Sequence, residues 1–132
     1  MDNLEYIPGD LVMVKKSALQ FAKDKIFKVI SSLSGGFLKV VMLNDSSTTY
    51  SISNNAIRPI PLTSEILEKN GWKENKGDYI NDSYHLHLCG KYDGYSVYKV
   101  VNDNVVWLTG VINVSDLQHL LFGLGLNSEM EV

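Results

Sequence analysis

Two prolines one residue apart constrain this chain more than any other feature. They sit in the run Asn54-Asn55-Ala56-Ile57-Arg58-Pro59-Ile60-Pro61-Leu62-Thr63-Ser64-Glu65. Proline donates no backbone hydrogen bond, so neither a continuous helix nor a central strand passes through Pro59 and Pro61. The residue before each proline is pushed to extended geometry. Directly afterwards, Thr63 is a good helix N-cap, with Glu65 placed in the first turn where an acidic side chain is favoured. The run therefore predicts a division into an all-β part, residues 1–60, and an α+β part, residues 61–132, packed on the first.

With 132 residues, 45% of them hydrophobic and 20% charged, the chain is globular in composition. It is long enough for one ordinary domain or two very small ones. No apolar run approaches the roughly 18 residues that a bilayer span requires, so no membrane partner is expected. The acidic start Met1-Asp2-Asn3-Leu4-Glu5 lacks the basic and apolar regions of a signal peptide, and Cys89 is the single cysteine. Together these read as a cytoplasmic chain without disulfides.

The net charge of −3 is unevenly spread: residues 1–62 carry seven Lys/Arg against five Asp/Glu, residues 63–132 five against ten. The first part tolerates a phosphate backbone and the second repels it. Arg58 is the one arginine. Base-specific reading relies heavily on arginine, so sequence-specific nucleic-acid recognition is poorly equipped here.

In the first part, the turn Ile7-Pro8-Gly9-Asp10 precedes a short apolar strand, Leu11 to Val14. Residues 17–25 read as a loop or a single helical turn. Ile26 to Ser32 reads as a second strand, with Phe27 and Val29 facing opposite to Ile26, Lys28 and Ile30. A Gly35-Gly36 hairpin leads into Phe37 to Leu43. A turn at Asn44 to Ser47 leads into Thr48 to Ile52, and a brief turn at 53–55 into a last extended piece, Ala56 to Ile60. This is the order of a small SH3-like β-barrel; a β-meander lying on the second part is the alternative.

The second part predicts an α-β-β-β-α unit with an antiparallel meander. Its first helix runs Thr63 to Asn70 and stops at Gly71, with Ile66, Leu67 and Trp72 turned inward. Lys73 to Asp82 reads as polar and turn-rich. The meander follows: Tyr84 to Tyr92, then Tyr95 to Val101 across an Asp93-Gly94 turn, then Val105 to Thr109. Ser115 and Gln118 have capping-box spacing, and Leu117, Leu120, Leu121 and Leu124 form one apolar stripe. That stripe is expected to cover the sheet face bearing Tyr84, Leu86, Leu88 and Val97. An acidic tail, Asn127 to Val132, is expected to fray.

Three groupings carry candidate chemistry. His85, His87 and Cys89 alternate along one strand, which would place two imidazoles and a thiol on one face, three of the ligands zinc prefers. His119 or Asp93 is then the candidate fourth ligand, and half-exposed packing is the alternative reading. Tyr92, Asp93, Tyr95 and Tyr98 crowd one hairpin, and tyrosine suits interfaces because it joins apolar area to a polar tip; the alternative is that they edge the core. Lys15, Lys16, Lys25 and Lys28 decorate the first part, where a nucleic-acid-binding barrel and an ordinary solvated surface both remain open. No nucleophile elbow, phosphate-binding glycine loop or His-Glu-x-x-His helix occurs. A non-enzymatic protein without a cofactor is expected.

Ile60-Pro61-Leu62-Thr63-Ser64-Glu65-Ile66-Leu67-Glu68-Lys69-Asn70-Gly71-Trp72 and Leu117-Gln118-His119-Leu120-Leu121-Phe122-Gly123-Leu124-Gly125, taken as a pair, resemble a linker-helix and a C-terminal helix of small uncharacterised proteins. Those proteins belong to Bacteroides-type gut bacteria and their phages or mobile elements. The resemblance covers residues 57–125. It implies an accessory gene of a phage or integrated element, and carries no activity, cofactor or catalytic residue with it. A non-enzymatic binding protein acting on a host macromolecule is the expectation set beside it.

Overall fold

The computed structural model describes residues 6–14, 25–91 and 94–132, and the backbone alone at 45, 46 and 91. The segment expected as a loop over 17–25 lies outside them except for Lys25, and so do Lys15, Lys16, Tyr92 and Asp93. The chain is α+β, with two antiparallel sheets and two α-helices. It divides into two compact units, Met1–Ile60 and Pro61–Val132.

The first unit begins with a hydrogen-bonded turn. The Asp10 N–H donates to the Ile7 carbonyl at 3.1 Å, and the buried Asp10 carboxylate accepts the Ile7 N–H at 2.9 Å. Bonds from the Gly9 N–H to the Val29 carbonyl and from the Val29 N–H to the Asp10 carbonyl, both 2.8 Å, tie the turn to its neighbour strand. The strands are β1 (Leu11–Val14), β2 (Ile26–Leu33), β3 (Phe37–Met42), β4 (Asp45–Ser53) and β5 (Ile57–Pro59), with a 3-10 turn at Asn54–Ala56 just before β5. Their order is β4-β3-β2-β1-β5. This leaves β4 and β5 as edges, and no ladder among the described residues joins them into a closed barrel. Pro59 fits because β5 is an edge strand pairing only with β1.

β4 starts three residues earlier than the expected Thr48. Pairing of Met42 with Asp45 closes a tight hairpin at Leu43-Asn44, with a register shift between Val41 and Met42. The polar stretch expected to be a turn is instead drawn into the ladder. Val12, Val14, Phe27, Val29, Leu38, Val40, Ile52, Ile57 and Tyr6 make one buried cluster. Phe27 meets Tyr50 edge to face at a centroid distance of 6.0 Å.

In the second unit, α1 (Ser64–Lys69) is capped by the Thr63 hydroxyl oxygen, which accepts the Ile66 N–H at 3.3 Å. It ends where the Trp72 N–H returns to the Leu67 carbonyl at 3.0 Å. Leu67 and Trp72 are buried. The sheet has five strands, not three: β6 (Lys73–Asn75), β7 (Asp78–Asn81), β8 (Leu86–Lys91), β9 (Gly94–Val101) and β10 (Asn104–Val111), in the order β10-β9-β8-β7-β6. The polar segment 73–82 is a hairpin because Lys76 and Gly77, at φ 53° and 87°, make a two-residue turn between paired Asn75 and Asp78.

Helix α2 (Val114–Gly123) is capped two residues before the expected cap, Ser115. Asn113 is its N-cap, and the Asp116 carboxylate accepts the backbone N–H groups of Ile112 at 3.0 Å and Asn113 at 2.9 Å. The buried stripe is accordingly Val114, Leu117 and Leu121 with Ser115 and Gln118, while Leu124 is exposed. Leu86, Leu88, Val97 and Val111 are buried on the sheet; Tyr84 is only half-buried. The tail is held and not frayed. The Asn70 side chain donates to the Glu131 carbonyl at 2.7 Å and accepts the Glu131 N–H at 2.8 Å, and Gln118 donates to the Ser128 carbonyl at 3.1 Å. No helix is long and apolar enough to cross a membrane among the described residues.

Candidate functional site

The outer face of the second sheet is assembled by register. His87 on β8 lies opposite Ile80 on β7 and Tyr98 on β9, and Tyr98 lies opposite Trp107 on β10. Alternation along β8 turns Leu86 and Leu88 inward to full burial and leaves His87 and Cys89 half-buried on the other side. On this outer face Asp78, His87 and Cys89 converge, with one ligand atom of each within 4.8 Å of the others. His87 Nε2 is shielded from solvent, hydrogen-bonds to nothing among the described residues, and stands 3.4 Å from Asp78 Oδ2. That separation suits an ion pair with a charged imidazole, but the alignment is not that of a hydrogen bond.

His85 does not join them. It is exposed at φ 56° in the turn preceding β8, its N–H donating to the Asp82 carbonyl at 3.3 Å, so the expected three-residue alternation begins one residue too early. His119, on α2, is not part of the cluster, and Asp93 lies outside the described residues. Asp78 is the member that sequence reading missed. The signal was available only through the β6–β7 hairpin, which sets β7 beside β8 and brings Asp78 next to Cys89.

The tyrosine hairpin is split between two surroundings. Tyr95 packs edge to face on buried Tyr79 at 6.1 Å. Burial first, then the neighbouring Tyr79, raises the Tyr95 hydroxyl above its ordinary pKa. The pair borders a cleft of about 470 Å³ formed with Pro61, Leu62, Gly90, Gly94 and Ile112. The cleft requires glycine at 94: φ is 127°, and a Cβ there would run into the Val111 carbonyl oxygen and the Ile112 side chain. Tyr98 instead stands half-buried on the outer face between His87 and Trp107. Of the lysines singled out, Lys25 is exposed and Lys28 is half-buried opposite Val41.

Beyond Tyr98 the β9–β10 hairpin turns sharply apolar. Val100, Val101, Val105, Val106 and Trp107 are all exposed, Trp107 by 58%. Composition alone gave no hint of this concentration, because the same valines read as ordinary strand core. No family model matches the chain, and no curated protein matches it in sequence.

Proposed function

We propose that this chain is a non-enzymatic binding protein that docks another protein along strand β10. One observation carries the reading: among the described residues, β10 is the one sheet edge without protection. Exposed edges invite pairing with foreign strands, and proteins blunt them with charge, proline or short length. β6 is three residues, Lys73-Glu74-Asn75; β5 is three residues and contains Arg58 and Pro59; β4 carries mostly serine and threonine. By contrast β10 is eight residues, Asn104-Val-Val-Trp-Leu-Thr-Gly-Val111, with no charge and no proline. Strand addition would supply main-chain hydrogen bonds for affinity, and Val105 and Trp107 side-chain specificity. Tyrosine and tryptophan in a docking surface match the residues that dominate binding energy at protein interfaces.

The phage or mobile-element setting implied by the paired helices belongs to the same proposal, with a host macromolecule as the partner. So does an SH3-like first unit. Its strand order and the short helical turn before the last strand support that topology.

The test compares capture from a bacterial lysate by the wild-type chain and by the double variant Val105→Lys/Trp107→Lys. The expected result is a stoichiometric protein partner retained by the first and lost by the second, with both monomeric in sedimentation. Identical captures would overturn the proposal. So would a wild-type dimer that the variant dissolves, which would make a second copy the natural occupant.

A further inference from the structure

Asp78, His87 and Cys89 play no part in edge docking, yet they present carboxylate, imidazole and thiol from two adjacent strands. We propose that these three side chains bind a borderline divalent transition metal, zinc(II) being the best match, with a fourth position left to water or an exogenous donor. Oxygen, nitrogen and sulfur are all accepted by zinc, whose bonds to nitrogen and oxygen are about 2.0–2.2 Å. Two such bonds at the tetrahedral angle separate their ligand atoms by about 3.4 Å. His87 Nε2 and Asp78 Oδ2 stand 3.4 Å apart, and the cysteine donor atom is within 4.8 Å of both. A movement of about 1 Å by the Cys89 side chain completes the set, since zinc–sulfur bonds are about 2.3 Å.

The geometry also answers a cost. His87 Nε2 is shielded from water and hydrogen-bonds to none of the described residues. A shielded polar atom that makes no hydrogen bond is costly unless the imidazole is charged, and a neutral imidazole presenting its lone pair to a carboxylate oxygen faces a second acceptor. A cation placed between them satisfies both. Strands β7 and β8 hold the three donors on a paired ladder, so little order is lost on binding. Coordination replaces the S–H bond of Cys89 by a metal–sulfur bond and releases one proton to solvent, so affinity rises with pH until the thiolate is fully formed.

Cobalt(II) titrated anaerobically into the full chain tests this. The expected result is one ion per chain, a thiolate-to-cobalt charge-transfer band, and stoichiometric displacement by zinc(II). Cys89→Ser should abolish the band. Asp78→Asn and His87→Gln should each weaken binding at least tenfold, a loss that even outer-shell partners can produce. His85→Gln, which alters the neighbouring exposed histidine, should change nothing. Near-ultraviolet circular dichroism of each variant confirms that the sheet is intact. Failure to bind one equivalent would overturn the proposal, as would cobalt affinity unaltered in both folded variants Asp78→Asn and His87→Gln, or lowered equally by His85→Gln. Because the readout involves no protein partner, it stands or falls separately from docking on β10.

Discussion

Gly94 illustrates how far a single position reaches. A Cβ there meets the Val111 carbonyl oxygen and the Ile112 side chain, and its φ of 127° is one that other residues adopt at a cost of about 1–3 kcal/mol. Gly94→Ala is therefore expected to lower unfolding free energy by at least that amount in denaturant titration. Gly90→Ala, whose added Cβ would make only ordinary contacts with Gly77 and Tyr95, should stay within about 1 kcal/mol of wild type. Equal losses at both positions would contradict the close approach of β9 and β10 at this point. At this scale the sequence was legible where a residue type has one physical use, as at the turn of Pro8 and Gly9. It was not legible where a residue's role depends on a neighbour strand. His85 and His87 differ by two positions and look equivalent, yet one sits in a left-handed turn and the other beside Asp78.

Elements were legible in proportion to how locally they are determined. Helix α1 is set by Thr63 and Gly71, both visible in the sequence, and its bounds fall within one residue of expectation at each end. The β6–β7 hairpin went unread because Lys73, Glu74 and Asn75 are all exposed and show no apolar alternation. Helix α2 exposes a subtler error. Ser115 and Gln118 fit a capping box by spacing, but Asn113 and Asp116 have the same spacing two residues earlier, and the Asp116 carboxylate holds two backbone N–H groups. Asp116→Ala should cost about 1 kcal/mol in thermal or chemical unfolding, with Asp116→Asn retaining part of that. If Ser115→Ala proved the costlier change, the helix would begin where the sequence placed it.

Across the whole molecule, the informative contrast is among four sheet edges. Three are short, charged, proline-bearing or polar, and they lie in both units; β10 alone is long and apolar on its outer side. The continuous apolar run Val105-Val106-Trp107-Leu108 suits a buried central strand as well as an edge, so the residues of β10 do not mark it as one. The tyrosines around the Asp93-Gly94 turn carry their interface signal in residue type alone, whereas the valines at the opposite end of β9–β10 do not. The division between Ile60 and Pro61 falls inside the proline run: Pro59 still pairs with β1, whereas Pro61 bridges Asn113 and the Leu62 N–H donates to the Ile112 carbonyl at 3.0 Å. Docking on β10 is tested most directly by photo-crosslinking in a bacterial lysate, with a photoreactive residue placed at Val105 on β10 or at Thr49 on β4, the other long edge. The account predicts a single dominant adduct from position 105 and none from 49; comparable adducts from both positions, or an adduct from 49 alone, would contradict it.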